Sequence, residues 1–342
     1  MVGSSLAVVL GTAPLIAMML WGVHELGDLR TEQIQGHDLF AQALRSYMEE
    51  DTDAAIRTCR EALAVDEASA ETHTLLGMAL VRKQDPTTAL THFLRALEID
   101  PQYSKAHQNV GMLLQSQSQN DRAIHHYREA LKAGDWNNHE VLNNLAMLVQ
   151  GDEAIGLYEM AIRISPEFFY GHFNLANALI RKGQVDRALV HFREAARIQP
   201  RSEEAQRALG ASLSRSGQVR EALPHLRNAL QLNPDRVDAL LPLSWALATH
   251  PDHQVRKTAE AITHAEHAIQ LVGPNNPRAQ DVLAAAYASA GRFDEAVRAA
   301  QRAVELTQRA GATPLAAMIQ QRLSLYEQGQ SYRAPGARPV GQ

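Results

Sequence analysis

Small apolar residues recur with a regular period along the otherwise polar and charged sequence of this chain. Eight alanines are each followed seven residues later by another alanine, and the first members lie 34, 34, 31, 34, 34, 39 and 35 residues apart. The pairs are Ala55/Ala62, Ala89/Ala96, Ala123/Ala130, Ala154/Ala161, Ala188/Ala195, Ala222/Ala229, Ala261/Ala268 and Ala296/Ala303. This period is typical of stacked helical hairpins rather than of one globular core. The pattern therefore predicts an all-α solenoid.

A further small residue marks the first helix of most units. Twelve residues before the first alanine of six units stands an alanine or a glycine, namely Ala43, Gly77, Gly111, Ala176, Gly210 and Ala284. We expect two helices of each unit to approach closely at these positions. Four units close with a proline, at Pro101, Pro166, Pro200 and Pro234. Proline cannot extend a helix, so it sets the turn into the next unit.

The repeating segments resemble the tetratricopeptide repeat. The resemblance rests on segments such as Leu76-Gly77, Asp186 to Pro200 and Gly291 to Ala296, and it extends over residues 36–310. It implies a right-handed α-solenoid of about eight helical hairpins whose concave groove is presented to other polypeptides. Proteins on this fold differ in function, so the resemblance alone does not name the partner.

The end of the chain departs from the repeat. Residues 311–328 are predicted to form a capping helix, because their apolar positions fit a face that covers the last hairpin: Leu315, Met318, Ile319, Leu323 and Tyr326. Residues 329–342 are predicted to be a flexible tail. Trp245, the Pro251-Asp252 turn and the segment from Asp281 to Glu295 also resemble the C-terminal block of bacterial membrane-linked tetratricopeptide proteins, some of which follow a mannosyltransferase-like membrane domain.

The N-terminal segment is uncharged and apolar. Residues 2–23 carry no charged side chain, and the apolar run from Leu6 to Val23 could cross roughly 27 Å of hydrocarbon as a helix. We interpret residues 1–24 as a single transmembrane anchor and residues 25–35 as a short linker. A cleaved signal peptide and a buried helix are the alternatives. The expected location is a membrane, with the repeat domain in the periplasm or otherwise outside the cytoplasm.

Charge and composition exclude several classes of function. The formal net charge is −5 and the sequence pI is about 6.3, whereas nucleic-acid binding needs a clustered basic surface. Cys59 is the single cysteine, so an internal disulfide is impossible. The sequence has no phosphate-binding loop, nucleophile elbow or zinc-protease motif. We therefore expect no catalysis, no cofactor and no nucleic-acid partner.

Aligning the units on their small residues places two sets of side chains on the groove. One position holds Asn109, Asn144 and Asn174, and another holds Met78, Met112 and Met147 followed by Asn177. Amides can pair with a peptide backbone, and flexible methionines adapt to varied apolar groups. The set resembles the asparagine ladder of O-GlcNAc transferase repeats. Aromatic anchors at Tyr170 and Phe173, and carboxylate-binding arginines at Arg82, Arg181 and Arg215, complete the predicted groove. Packing between helices is the alternative role for these residues.

The histidines also follow the repeat. His73, His107 and His172 share one position, and His92, His126, His191 and His225 share another. Residues that repeat with the period lie one hairpin apart and cannot converge on one ion, so we expect them to pack between helices. A four-nitrogen metal site from His250, His253, His264 and His267 is the exception that spacing allows. We interpret these four as exposed side chains and predict no metal site.

The sequence therefore predicts a non-catalytic, membrane-tethered scaffold that binds a polypeptide or the subunits of a membrane-associated complex through its groove. The alternative is an accessory module that recruits substrate to a membrane glycosyltransferase or export system. The sequence leaves the oligomeric state open.

Overall fold

A computed structural model describes residues 34–134 and 138–334, and the described residues form helices and connecting turns without any strand. The first helix, α1, covers residues 34–48. The others are α2 Thr52–Val65, α3 Ala70–Arg82, α4 Pro86–Ile99, α5 Ser104–Ser116, α6 Asn120–Lys132, α7 His139–Leu148, α8 Gly151–Ile164, α9 Phe169–Arg181, α10 Val185–Ile198, α11 Glu203–Arg215, α12 Val219–Leu232, α13 Val237–Thr249, α14 Thr258–Val272, α15 Pro277–Ser289, α16 Phe293–Arg309 and α17 Thr313–Glu327. The all-α prediction is confirmed.

The predicted membrane anchor at residues 1–24 lies outside the described residues, as do residues 335–342 of the predicted tail. None of the helices in the described ranges combines the length and the apolar character needed to cross a bilayer.

The chain divides into two compact units, the first ending at Ile164 and the second beginning at Ser165. In unit 1, consecutive helices pack as the hairpins α3–α4, α5–α6 and α7–α8. In unit 2, the hairpins are α9–α10, α11–α12, α13–α14 and α15–α16, and α17 packs on α16. Along unit 2 the first helices of successive hairpins also touch, α11 against α13 and α13 against α15.

The alanine pairs lie in the core between helices. No member of the eight pairs is more than 3% exposed. The small residues twelve positions before the first alanines are packed equally tightly. A Cβ at Gly111 would lie 2.7 Å from the Tyr127 ring, and one at Gly210 would lie 2.8 Å from Leu226 Cγ. Real Cβ atoms do not approach so closely, so glycine lets the two helices of these hairpins meet. The predicted close approach at small residues is confirmed.

The last helix covers the end of the second unit. Ile319, Leu323 and Tyr326 of α17 form one buried cluster with alanines of α16, among them Ala300 and Ala303. Upstream, an eight-residue connection, residues 250–257, joins α13 to α14 where other hairpins have a tight turn. The extra length carries His250 and Pro251 to the end of α13, where they border a cleft.

Candidate functional site

Unit 2 contains a cleft of about 680 Å³ that runs along one side of α11, α13, α15 and α17. We call it the unit 2 cleft. Its apolar lining consists of Ala211, Val219, Val237, Leu241, Pro242, Trp245, Ala246, Val282, Leu315 and Met318. Leu315 and Met318 are 37% and 54% exposed, so α17 presents apolar surface to solvent at the cleft. Such a surface can bury an apolar side chain of a ligand.

Trp245 is held in place by a buried ion pair. Arg322 of α17 donates two hydrogen bonds to the Asp281 carboxylate, at 3.0 and 2.7 Å. The same guanidinium lies 5.2 Å from the Trp245 ring, within the range of a cation–π contact. Burial raises the pKa of Asp281, and the charge of Arg322 opposes that shift. The pair therefore links α15, α17 and the indole into one arrangement.

The residues that follow α17 complete one wall of the cleft. The Ala334 amide donates to the Thr249 carbonyl oxygen at 2.9 Å, and Ser331 Oγ donates to the Ala288 carbonyl oxygen at 2.6 Å. Between these two anchors the Tyr332 ring lies 5.8 Å from the Trp245 ring. The start of the predicted flexible tail is thus fastened to α13 and α15.

The charged lining is predominantly basic. Four arginines, Arg207, Arg215, Arg278 and Arg322, face two aspartates, Asp238 and Asp281, which leaves two positive charges in excess. Arg322 is paired with Asp281, and Arg207 lies 3.9 Å from Asp238. Within the described residues neither Arg215 nor Arg278 forms an ion pair, and both are exposed. The Arg215 guanidinium donates one hydrogen bond, to Ser212 Oγ at 3.3 Å, and its remaining N–H groups could bind a carboxylate, as could the Arg278 guanidinium.

Two buried polar atoms of α11 also lack a partner at the cleft. Arg207 Nε and Ser214 Oγ are buried and make no hydrogen bond to any residue in the described ranges. Arg207 Nε lies 3.4 Å from Glu203 Oε1, which is within ion-pair distance but is poorly aligned for a hydrogen bond. A buried polar atom without a partner is unfavourable, so both atoms lower the stability of the folded state.

The predicted groove residues are divided between the units. Unit 1 holds Met78, Arg82, Asn109, Met112, Asn144 and Met147, and unit 2 holds Tyr170, Phe173, Asn174, Asn177, Arg181 and Arg215. Of these twelve, Arg215 is the one that lines the unit 2 cleft. Met112, Met147 and Tyr170 are about half exposed.

Several of these side chains are engaged within their own unit. Asn109 Nδ2 donates to the Lys105 carbonyl oxygen at 2.7 Å, and Asn177 Nδ2 donates to the Phe173 carbonyl oxygen at 3.0 Å. One N–H of each amide is therefore already hydrogen-bonded to its own helix, and the amide oxygen can still accept a hydrogen bond. In unit 1 the Arg82 guanidinium lies 4.0 Å from the Tyr47 ring centroid and donates to the Tyr47 carbonyl oxygen.

The four histidines of the metal alternative have separate surroundings. His250 borders the unit 2 cleft, and His253 is exposed beside Asp252. On α14, His264 Nε2 lies 3.7 Å from Glu260, and His267 Nε2 lies 3.0 Å from Asp235. Across residues 34–134 and 138–334, no three histidine, cysteine or acidic side chains are arranged to hold a metal ion.

Trp245 belongs to the resemblance of the C-terminal block and was not predicted as a groove residue, although its position in the repeat indicates that role. Trp245 follows Ser244 as Met78 follows Gly77, so it occupies the facing position assigned to the methionines. Continuing the two aligned positions past Asn177 would have reached Trp245, Pro242 and Val282. Arg278, Arg322 and the segment after α17 belong to no repeated position, and nothing in the period marks them.

Comparisons with known proteins agree on the repeat. Family models described as tetratricopeptide repeat match residues 39–104 and 207–255, 92–125, 169–202 and 278–310. No curated protein matches the sequence at a significant level.

Solved structures give the same fold. PilF of Pseudomonas aeruginosa is 19% identical, with a TM-score of 0.57 over 61% of this chain and 96% of that one. The C-terminal part of a repeat-containing protein from Cytophaga hutchinsonii is 15% identical, with a TM-score of 0.52 over 71% of this chain and 99% of that one. At these identities the similarity shows the fold alone.

Proposed function

Because the chain contains tetratricopeptide repeats, we propose that it is a non-catalytic scaffold that holds another polypeptide in the unit 2 cleft. The observation that carries the proposal is the pairing of an apolar surface around Trp245 with two arginines, Arg215 and Arg278, that lack ion-pair partners among the described residues. This combination suits an acidic segment that also carries an apolar side chain.

The dimensions of the cleft suit an extended segment. It borders four helices, and packed helices lie about 8 to 10 Å apart, so its length is roughly 25 to 30 Å. An extended chain advances about 3.3 to 3.6 Å per residue, so about eight residues would follow it from end to end. A ligand of this length can place carboxylates on Arg215 and Arg278 while an apolar side chain packs on Trp245.

The proposal is tested by the affinity of synthetic peptides of about twelve residues. We would compare a labelled glutamate-leucine peptide with its glutamine-leucine and glutamate-serine counterparts by fluorescence anisotropy. The first is expected to bind best, because it alone satisfies both the arginines and the apolar lining. R215A/R278A should weaken binding of this peptide about tenfold, because the two substitutions remove the charge-assisted hydrogen bonds that the arginines donate to its carboxylates.

A matched control uses two other exposed arginines of unit 2. Arg298 and Arg309 lie on α16 and do not line the cleft, so R298A/R309A removes the same charge elsewhere. Equal loss in both double variants would mean that only net charge matters. Equal binding of all three peptides would exclude the unit 2 cleft as a site for acidic, apolar segments.

The asparagines and methionines of the predicted groove are a further part of the proposal. Asn109 and Asn144 in unit 1, and separately Asn174 in unit 2, are proposed to pair with the backbone of a polypeptide; none of the three lines the unit 2 cleft. N109A/N144A/N174A should weaken capture of a partner while the helical content stays unchanged. Unchanged capture would remove these amides from the site.

Membrane tethering is proposed from the sequence alone. The uncharged segment over residues 2–23 supports an N-terminal anchor. The full chain should then float with phospholipid vesicles, and a chain lacking residues 1–24 should stay in the aqueous fraction. The recruiting role beside a membrane glycosyltransferase or export system stays a prediction, based on the resemblance of the C-terminal block.

A further inference from the structure

Three hairpins contain the same hydrogen bond between two histidine rings, one from each helix. In unit 1 His73 Nδ1 lies 3.0 Å from His92 Nδ1, and His107 Nδ1 lies 3.0 Å from His126 Nδ1. In unit 2 the corresponding pair is His172 and His191, at 3.1 Å. The two members are 19 residues apart in every pair. The expectation that the repeated histidines pack between helices is confirmed at these pairs.

The second nitrogen of the first-helix ring fixes the positions of the protons. His73 Nε2 lies 3.2 Å from the Glu67 carbonyl oxygen, and His107 Nε2 lies 3.0 Å from the Pro101 carbonyl oxygen. A carbonyl oxygen only accepts, so each Nε2 must carry a hydrogen. In a neutral ring the Nδ1 of the same histidine is then an acceptor. The partner ring, His92 or His126, must therefore donate through its own Nδ1–H.

This arrangement accommodates one added proton but not two. A proton on Nε2 of His92 or His126 leaves its Nδ1–H in place, so the bond between the rings survives. A proton on Nδ1 of His73 or His107 also preserves the bond, if the partner ring carries its single hydrogen on Nε2 and accepts through Nδ1. With two added protons both Nδ1 atoms carry a hydrogen, and the bond is lost. An intact pair therefore binds at most one proton, whereas two separate histidines bind two.

The surroundings of the first pair mostly oppose protonation. Burial lowers the pKa of both His73 and His92. Arg60 from α2 and Arg95 from α4 also act against a positive charge on the pair, while Glu67 before α3 favours it.

The surroundings of His126 in the second pair also oppose protonation. Burial is the largest cause that lowers the pKa of His126 to about 4, and His107 adds to it. His125 and Arg122 on α6 act in the same direction, and Glu129 acts against them. Glu129 forms an ion pair with Lys132, which reduces its electrostatic stabilisation of a positive charge on His126.

Unit 2 contains a version of the same contact that cannot gain a proton at the first-helix position. Gln206 occupies the position of His107 in the α11–α12 hairpin. Its Nε2 donates to the Pro200 carbonyl oxygen at 2.9 Å, and its Oε1 lies 2.7 Å from His225 Nδ1. The amide thus forms both bonds of the first-helix histidine and does not titrate. Glutamine is therefore a conservative replacement for His73 and His107.

We propose that the His73–His92 and His107–His126 pairs are acid-sensitive contacts between the two helices of their hairpins. Each contact holds its helices together until a second proton binds to the pair, which breaks the hydrogen bond between the rings. The sign follows from proton counting. Below pH about 6.5 an unfolded chain binds two protons per pair, and the intact pair binds at most one. The folded state is therefore disfavoured as the pH falls. Each pair lowers the ratio of closed to open hairpin by about tenfold or more per pH unit, because the open hairpin binds at least one proton more than the closed one.

Hydrogen exchange of the full chain, followed by mass spectrometry, tests this proposal. In the wild type, protection of α3–α4 and of α5–α6 should each fall by about tenfold or more per pH unit below pH about 6.5, after correction for the intrinsic exchange rate. Protection of α15 and α16, which contain no histidine, should fall much less. H73Q/H107Q should reduce the fall in α3–α6, since each remaining histidine then donates to an amide.

The control is H37Q/H253Q, which replaces two exposed histidines. Its pH dependence should equal that of the wild type. The same steep loss of protection in H73Q/H107Q as in the wild type would overturn the proposal.

A direct measurement keeps the proposal testable if H73Q/H107Q is unstable. Nitrogen-15 NMR of histidine rings in the wild type reports the protonation of each nitrogen. In each pair at most one of the two rings is expected to be positively charged at every pH at which α3–α6 remain protected. Two positively charged rings in one pair of a protected hairpin would also overturn the proposal.

Discussion

A Cβ built on Gly77 would lie 2.4 Å from Cε1 of Phe93, a ring that is 1% exposed. No side chain larger than hydrogen fits between α3 and α4 at this point. We expect G77A to destabilise unit 1 by about 1 to 3 kcal/mol, because the ring must leave its position. Urea unfolding followed by circular dichroism measures the change.

Gly156 provides the matched control, since it lies inside α8 and a Cβ there would meet nothing within 4 Å. G156A should stabilise the chain by about 0.5 to 1 kcal/mol through helix propensity alone. A neutral or stabilising G77A would show that the α3–α4 contact is looser than described.

The repeat could be predicted because every hairpin makes the same local contacts. Gly77, Gly111 and Gly210 each meet a side chain of the next helix less than twenty residues away, so the contact leaves a period in the sequence. The cleft could not be predicted in the same way. Arg322 meets Asp281 across 41 residues and Ala334 reaches Thr249, and each of these contacts occurs once. Arg82 illustrates the same limit: its position in the repeat is clear, but its contact with Tyr47 depends on a residue of the preceding hairpin.

Removing one partner of the Arg322–Asp281 pair should be costly. R322M leaves a buried carboxylate without its counter-charge, and we expect a loss of about 3 to 5 kcal/mol. D281L/R322M should recover most of that loss, because neither charge then remains buried. Hydrogen exchange of α17 is a suitable local measurement, since a repeat array need not unfold in one step.

The cost of R322M should also depend on pH. Burial raises the pKa of Asp281, and in the wild type the charge of Arg322 opposes this shift. R322M removes that opposing charge. A carboxyl with a raised pKa binds a proton more readily in the folded state than in the unfolded one. The folded state of R322M should therefore gain stability, relative to the wild type, as the pH falls towards 4. A penalty that is equal at pH 4 and pH 8 would contradict this interpretation.

Cys59 should be unreactive while α2 is packed. The residue is fully buried, and burial raises the pKa of its thiol to about 12, so almost no thiolate forms at pH 8. We expect iodoacetamide to modify Cys59 only when the protein is opened by urea. C59A/T91C moves the thiol to an exposed position on α4 and should react promptly without urea. Prompt labelling of Cys59 in the native protein would mean that α2 opens readily.

The central claim is that Arg215 and Arg278 bind carboxylates of a polypeptide that packs on Trp245. The most direct test reverses the charge of the two arginines and the charge of the peptide together. R215E/R278E should lose affinity for the glutamate-leucine peptide and gain affinity for a lysine-leucine peptide of the same length, by about tenfold in each direction. R298E/R309E, with the same net charge, should change neither affinity by as much. If R215E/R278E weakens the acidic peptide without strengthening the basic one, or if both variants behave alike, the unit 2 cleft is not the binding site.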